Sequence, residues 1–256
     1  MQGESHTDWD ELERELDAWG EEQRLATFWW RDDDATDVTK ELERLLDVST
    51  GLDIPVSIAV IPRPATNALA RRLNGRPRIG VLQHGFDHAN HAPADEKRSE
   101  FGAHRPQERM LAELASGWHA LKPFEAALNV LTPPWNRIDP ALLPSLPGCG
   151  FSGVSTFGPR ASSYPAPGLR QVNTHVDPVN WRGGRDFPGI RAVLARLVDH
   201  LSARRQGRAD PDEPTGLLTH HQIHDSETWR FIERLFERTR DHAAARWMHA
   251  RQVFTS

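Results

Sequence analysis

The chain has 256 residues, 38% hydrophobic and 26% charged, with a net charge of −5 and a mean hydropathy of −0.60. That length and apolar content suit one large domain with a real core. The acidic balance excludes a general nucleic-acid binder, and no run reaches the roughly 18 apolar residues of a membrane span. The single cysteine, Cys149, excludes an intrachain disulfide and a thiolate zinc site. The acidic opening "MQGESHTDWDELERELDAW" has no apolar core of a secretory signal, so a cytoplasmic protein is expected.

In chain order, "DWDELERELDAW" (8–19) has helical spacing with acidic residues early, an entry helix. "LATFWWR" (25–31) reads as a short buried strand and "TDVTKELERLLDVST" (36–50) as a helix. "IPVSIAVIP" (54–62) is a strand, "ATNALARRL" (65–73) a helix and "RIGVLQH" (78–84) the third strand. Beyond a polar loop come a helix (105–122), a strand (127–135), a short helix (139–146) and a strand (150–157). The Pro/Gly-rich stretch 158–188 is irregular, with one short strand near "RQVNTHVD". A helix (190–205), a strand (215–221), a helix (225–244) and a last strand near "RWMHARQVF" complete the chain.

Such alternation favours a mainly parallel sheet wrapped by helices, as a barrel or an open doubly wound sheet. With no linker, repeat or low-complexity tract, residues 1–256 are expected to form one α/β domain, its core at about 25–252.

In these folds the working groups sit at the carboxyl ends of parallel strands. Those ends carry "RDDDA" (Arg31, Asp32, Asp33, Asp34), "QHGFDHANH" (His84, His88, His91), "PPWN" (Trp135, Asn136) and "THH" (His220, His221). The irregular stretch adds "DPVNW" (Asp177, Asn180, Trp181). Histidines at i and i+4 project two imidazoles to one side of a helical turn. A carboxylate from another strand would complete a His-His-Asp metal set with one position open for water. Each cluster also has a plainer reading: the aspartates as helix caps, "PPWN" as a turn, "THH" as core histidine. Their joint placement at one end of the strands favours a metal site.

The ordered set "TFWWRDDDA", "HGFDH", "PPWN", "DPVNW" and "LLTHH", spanning about residues 25–222, resembles the metal-dependent polysaccharide deacetylases. The resemblance implies a distorted (β/α) barrel of about seven parallel strands and removal of an acyl group from an N-acylated sugar or related small molecule. It implies Asp33 as general base, and Asp34, His84 and His88 as ligands of Zn or another divalent metal such as Co, Mn or Ni. It implies His220 as general acid, with His221 as the fallback. Trp135 and Asn136 match the groove-wall motif, and Trp181 the hydrophobic motif behind the acid.

The sequence also departs from that pattern. Ala35-Thr36 stand where Gly-Pro is usual, Gly85 replaces a hydroxyl residue, and the groove-wall arginine before "PPW" is missing. Arg31, two residues before Asp33 and on the same strand face, is the candidate replacement. The aspartate that tunes the acid is matched by Asn180, or by Asp177 in a shifted register. His91, Asp87 and Glu100 are expected to face solvent. The departures leave a catalytically inactive ligand-binding barrel and a metal-dependent phosphoesterase as rival readings.

Overall fold

Strand β1 (Ala26–Ala35) is the hub of one all-parallel sheet in the computed structural model, which describes residues 6–255. Residues 1–5 and 256 of the expected domain lie outside that range. β1 pairs with β2 (Val56–Val60) on one side and with β7 (Thr215–Thr219) on the other. β3 (Ile79–His84), β4 (Ala127–Thr132), β5 (Gly153–Val154) and β6 (Arg170–Gln171) follow β2 in order, and β8 (Ala245–Trp247) pairs with the start of β1. The chain after β6 curls round until Val176 bridges Leu217, where Leu218 N donates to Val176 O at 2.8 Å. The two ends of the sheet therefore meet through an isolated bridge rather than a full ladder, and the barrel is distorted.

Helices α2 (Lys40–Leu52), α3 (Asn67–Leu73), α4 (Gln107–Ala120), α5 (Ile190–Arg205) and α6 (Ser226–Thr239) lie between strands, as parallel crossovers require. Helix α1 (His6–Glu21) packs on α5, burying Trp9, Leu12, Leu16 and Trp19 along one face. No helix among the described residues is long and apolar enough to cross a membrane.

The two-residue period of a strand sorts β1 into two faces. Phe28 and Trp30 join the outer cluster with Leu42, Leu46, Leu235 and Phe236. Trp29 joins the inner cluster with Ala59, Leu82, Val130 and Val172, and Val253 and Phe254 of α7 (Ala250–Thr255) pack there too. Gly216 stands in register with Trp29; a Cβ there would collide with the indole nitrogen. Both faces of the strand are covered, which is why it is nearly continuously apolar before its polar end.

Four elements differ from the sequence expectation. β1 runs on to Ala35, so the aspartates belong to the strand; Thr39 caps α2, its hydroxyl accepting from Leu42 N at 3.1 Å. The expected last strand is only β8 followed by α7, because β2 occupies that edge of β1 beyond Phe28, β7 holding the opposite edge. Ala250, Val253 and Phe254, spaced i, i+3, i+4, are buried in the barrel interior. The 150–157 segment forms a ladder only at Gly153–Val154, with one isolated bridge from Phe157 to Thr174, and α6 ends at Thr239.

A buried polar clamp holds the closure at the amino end of β7. His175 Nδ1 accepts from Gly216 N at 3.0 Å, which puts the ring proton on Nε2, 3.4 Å from Glu213 Oε2. Glu213 also accepts from Asn173 N at 2.8 Å and Arg160 N at 2.9 Å. His200 stacks on His175 with ring centres 3.5 Å apart. These groups lie close enough to share a cation. That tautomer, however, places a proton where a ligand needs a lone pair, and the hydrogen bonds serve the fold.

Burial first, then the neighbouring His175 and Arg204, push the His200 imidazole from 6.5 down to about 2. The unfolded chain takes up this proton near pH 6.5 and the folded chain does not. His200's share of stability is therefore intact above pH 6.5 and drains as pH falls below it, by up to about 1.4 kcal/mol per pH unit. Urea unfolding at pH 7.5 and 5.5 should show this loss, with a shallower pH slope in His200→Gln. Equal slopes in the two proteins would discount the clamp.

Candidate functional site

Alternation carries the inner face of β1 upward from Trp29 through Arg31 to Asp33. Arg31 has no exposed surface. Its Nη1 donates to Ser155 Oγ at 2.7 Å, and its Nη2 donates to Asp33 Oδ2 at 3.0 Å and Asn136 Oδ1 at 2.5 Å. Its Nε lies 2.9 Å from Asp33 Oδ1. Both carboxylate oxygens thus face the guanidinium, a two-pronged ion pair that fixes where Asp33 points. Arg31, the candidate replacement for the missing groove-wall arginine, thus pairs with Asp33.

Asp32 faces the other way, fully buried beneath β7. It accepts from Thr219 Oγ1 at 2.6 Å, His221 N at 3.0 Å and His221 Nδ1. His221 is consequently buried against Asp32, and His220 is the one of the pair that lines the cleft.

Strict alternation would send Asp34 outward with Asp32. Instead the register with β2 breaks between Asp32 and Ala35, and Asp34 takes φ +74°. This bulge returns its carboxylate to the barrel mouth. Asp34 Oδ1 lies 3.1 Å from His84 Nε2 and 3.3 Å from His88 Nε2. Burial pushes the Asp34 carboxyl up, but the His84 hydrogen bond and nearby imidazoles outweigh it and hold the group well below the usual range. The two histidines do not share a helical turn. His84 ends β3, while His88 sits in a loop at φ +59°, and the loop's path brings the rings to 5.2 Å. The expected i, i+4 helical geometry is replaced by backbone in the left-handed region.

These donors fit a divalent cation. Ligands about 2.1 Å from a tetrahedral ion stand roughly 3.4 Å apart, close to the spacings from Asp34 to the two imidazoles. His84 Nδ1 lies 2.9 Å from the Thr132 carbonyl, which only accepts. That contact fixes a proton on Nδ1, so with an ion bound Nε2 is the nitrogen that would give its lone pair.

The loop is held from beneath. Glu100, expected at the surface, is fully buried; it accepts from Phe86 N at 3.2 Å and Asp87 N at 2.9 Å, and burial raises it to about 7. Gly85, at φ +60°, has no room for a side chain, because a Cβ would strike the Glu100 carboxylate and Pro134. That contact explains the glycine where a hydroxyl residue was expected. Asp87 pairs with Arg63 at 2.8 Å, and His91 is exposed.

Across the cleft, His220 Nδ1 lies 3.9 Å from Asp177 Oδ2 and its ring meets Trp181 edge-on at 4.7 Å. Asp177 also accepts from Trp181 Nε1 at 2.6 Å, and burial pushes its carboxyl up. Asn180 instead bonds Asp186 at 3.3 Å, so Asp177, not Asn180, is the group beside His220 Nδ1. Trp135, at φ +55°, packs on His88 with ring centres 4.4 Å apart. The cleft has a volume of about 1110 Å³. Sequence reading missed Ser155, Thr132 and Thr219, and placed Glu100 at the surface. The first three are hydroxyl residues at or near strand ends, and that position was the available signal; Glu100 had none.

No family model and no curated protein matches the chain. Solved structures do match in fold. The chitin deacetylase of Colletotrichum lindemuthianum aligns at TM-score 0.54 and 14% identity, over 91% of this chain and 89% of its own. The polysaccharide deacetylase of Bacillus cereus aligns at TM-score 0.51 and 14% identity, over 88% and 92%. The family 4 acetyl xylan esterase of Clostridium thermocellum, in complex with a cobalt ion, aligns at TM-score 0.51 and 14% identity, over 90% of each chain. The protein shares the distorted (β/α)-barrel fold of these three structures.

Asp32→Asn tests the outer-face clasp. Its amide would set N–H groups against the His221 and Thr219 donors, breaking a buried pair at a cost of about 3–5 kcal/mol in urea unfolding. A loss under about 1 kcal/mol would mean that the clasp contributes little.

Proposed function

We propose that this protein is a metal-dependent hydrolase that removes an acyl group from nitrogen, acting on an N-acylated sugar or a related small molecule. What carries the reading is the convergence of Asp34, His84 and His88 beside an Asp33 that a buried arginine holds in place. Asp34, His84 and His88 would hold one divalent cation, Zn or an ion such as Co, Mn or Ni. Bound there, the ion lowers the pKa of water and polarises an acyl carbonyl.

The remaining chemistry belongs to the chain. Asp33 accepts the proton of the attacking water, with Arg31 keeping its carboxylate aimed into the cleft. His220 gives a proton to the departing nitrogen, and Asp177 orients the imidazole from Nδ1. Trp135 and Trp181 offer flat apolar walls suited to a sugar ring. The three donors provide for one ion, whereas a phosphoesterase site wants two ions about 3.5–4 Å apart and more ligands.

Purified protein should contain about one divalent ion per chain, and His84→Gln or His88→Gln should lose it in elemental analysis. Asp33→Asn should keep the ion and release amine from N-acetyl sugars at least about 10²-fold more slowly. Protein without metal, or Asp33→Asn acting at the full rate, would overturn the reading. Metal with ligand binding but no turnover would make the barrel a binding protein.

A further inference from the structure

We propose that the cleft takes a substrate bearing phosphate, held by arginines at its mouth beside the acylated sugar. The inference rests on the hydrolase reading for the acyl group, but its own ground is a different set of residues.

Arg98, Arg137, Arg182, Arg185 and Arg196 all line the cleft. Among the described residues none of the five forms an ion pair. Arg137 Nη1 donates to the Arg98 carbonyl at 2.9 Å, and Arg196 Nη1 to the Asp177 carbonyl at 3.4 Å. The Arg185 guanidinium lies 5.9 Å from the Trp181 ring centre. These contacts orient the side chains and leave most of their donors free.

The carboxylates lining the same cleft are Asp33, Asp34 and Asp177, and each is already engaged. Asp33 faces Arg31, Asp34 faces two imidazoles, and Asp177 faces Trp181 and His220. The acids are the deeper groups: Asp33 is 2% and Asp177 7% exposed, while Arg98, Arg182, Arg185 and Arg196 are exposed. The floor is balanced and the rim is not.

Elsewhere this acidic chain supplies partners for many of its arginines. Arg205 meets Glu15 and Glu22, Arg72 meets Glu43, Arg105 meets Glu113, and Arg160 meets Asp210. In a chain of net charge −5, five arginines around one mouth, none of them ion-paired among the described residues, are a local inversion; the exposed Asp186 there bonds Asn180 instead. They raise the potential there and repel one another until an anion arrives. A neutral glycan calls for hydroxyl-matching groups and aromatic faces, not for a cationic ring. All five cations are arginines, whose planar fork matches phosphate oxygens two at a time. Their number exceeds what one carboxylate would satisfy and suits a phosphate or diphosphate. The neighbouring Trp181 and Phe157 leave aromatic surface for the sugar or a base.

The test separates the two readings. Metal-loaded wild type and the triple variant Arg182→Gln, Arg185→Gln, Arg196→Gln are titrated calorimetrically with pyrophosphate. Both keep the metal donors, so any ion-bound phosphate cancels in the comparison. Wild type should bind more tightly by at least about tenfold, with affinity falling as salt rises. If the triple variant fails to fold, the single variants Arg182→Gln and Arg185→Gln, at exposed positions, make the same comparison. In turnover, N-acetylglucosamine 1-phosphate or UDP-N-acetylglucosamine should exceed N-acetylglucosamine in kcat/KM by at least about tenfold; which phosphorylated compound is faster tells a monophosphate from a nucleotide site. Salt-independent pyrophosphate binding, or equal turnover of neutral and phosphorylated sugars, overturns the phosphate inference and leaves the hydrolase standing. Salt-sensitive, arginine-dependent binding with no turnover of any acylated compound does the reverse.

Discussion

A guanidinium with no exposed surface, inside a barrel, is the constraint around which this molecule is arranged. Desolvating Arg31 costs several kcal/mol unless its charge and donors are met. They are met by Asp33 from the same strand, Ser155 from just beyond β5 and Asn136 from just beyond β4. Three parts of the barrel mouth are thereby tied to one side chain. The proposed base is held in position because the fold needs it there to neutralise a buried charge.

A second feature is strain concentrated where the chemistry would be. Among the described residues, five of the seven non-glycine positions with positive φ line the cleft: Asp34, His88, Trp135, Asn136 and Arg185. Each such residue costs of order 1 kcal/mol or more and persists only where its surroundings fix it. Here the surroundings are visible. The β1 bulge turns Asp34, the Glu100 carboxylate holds the loop carrying His88, and the turn after β4 places Trp135 on His88 and Asn136 on Arg31. The outer face is built differently, with Asp32, Thr219 and His221 making a satisfied network that joins β1 to β7.

Much of this was legible in the sequence because it follows from periodicity. Alternating apolar segments gave the parallel sheet, and polar residues at strand ends gave Arg31, Asp33, His84 and His220 their shared end of it. Arg31 and Asp33, two residues apart, had to share a face. What failed did so for identifiable reasons. The "RWMHARQVF" segment turns from strand to helix because β2 takes that edge of β1 beyond Phe28, a competition between segments far apart in sequence. Glu100 looked like a surface acid because nothing local shows that a loop folds over it.

The sequence by itself determined which side chains could meet, since the two-residue period and the strand order are local consequences of residue type. The tertiary structure alone decided how the last few ångströms close. Asp34 turns inward against the alternation, His88 reaches His84 through a left-handed loop rather than a helix, and Asp177 rather than Asn180 faces His220. Those choices depend on backbone conformations that are unfavourable in isolation, and only contacts from distant parts of the chain hold them in place.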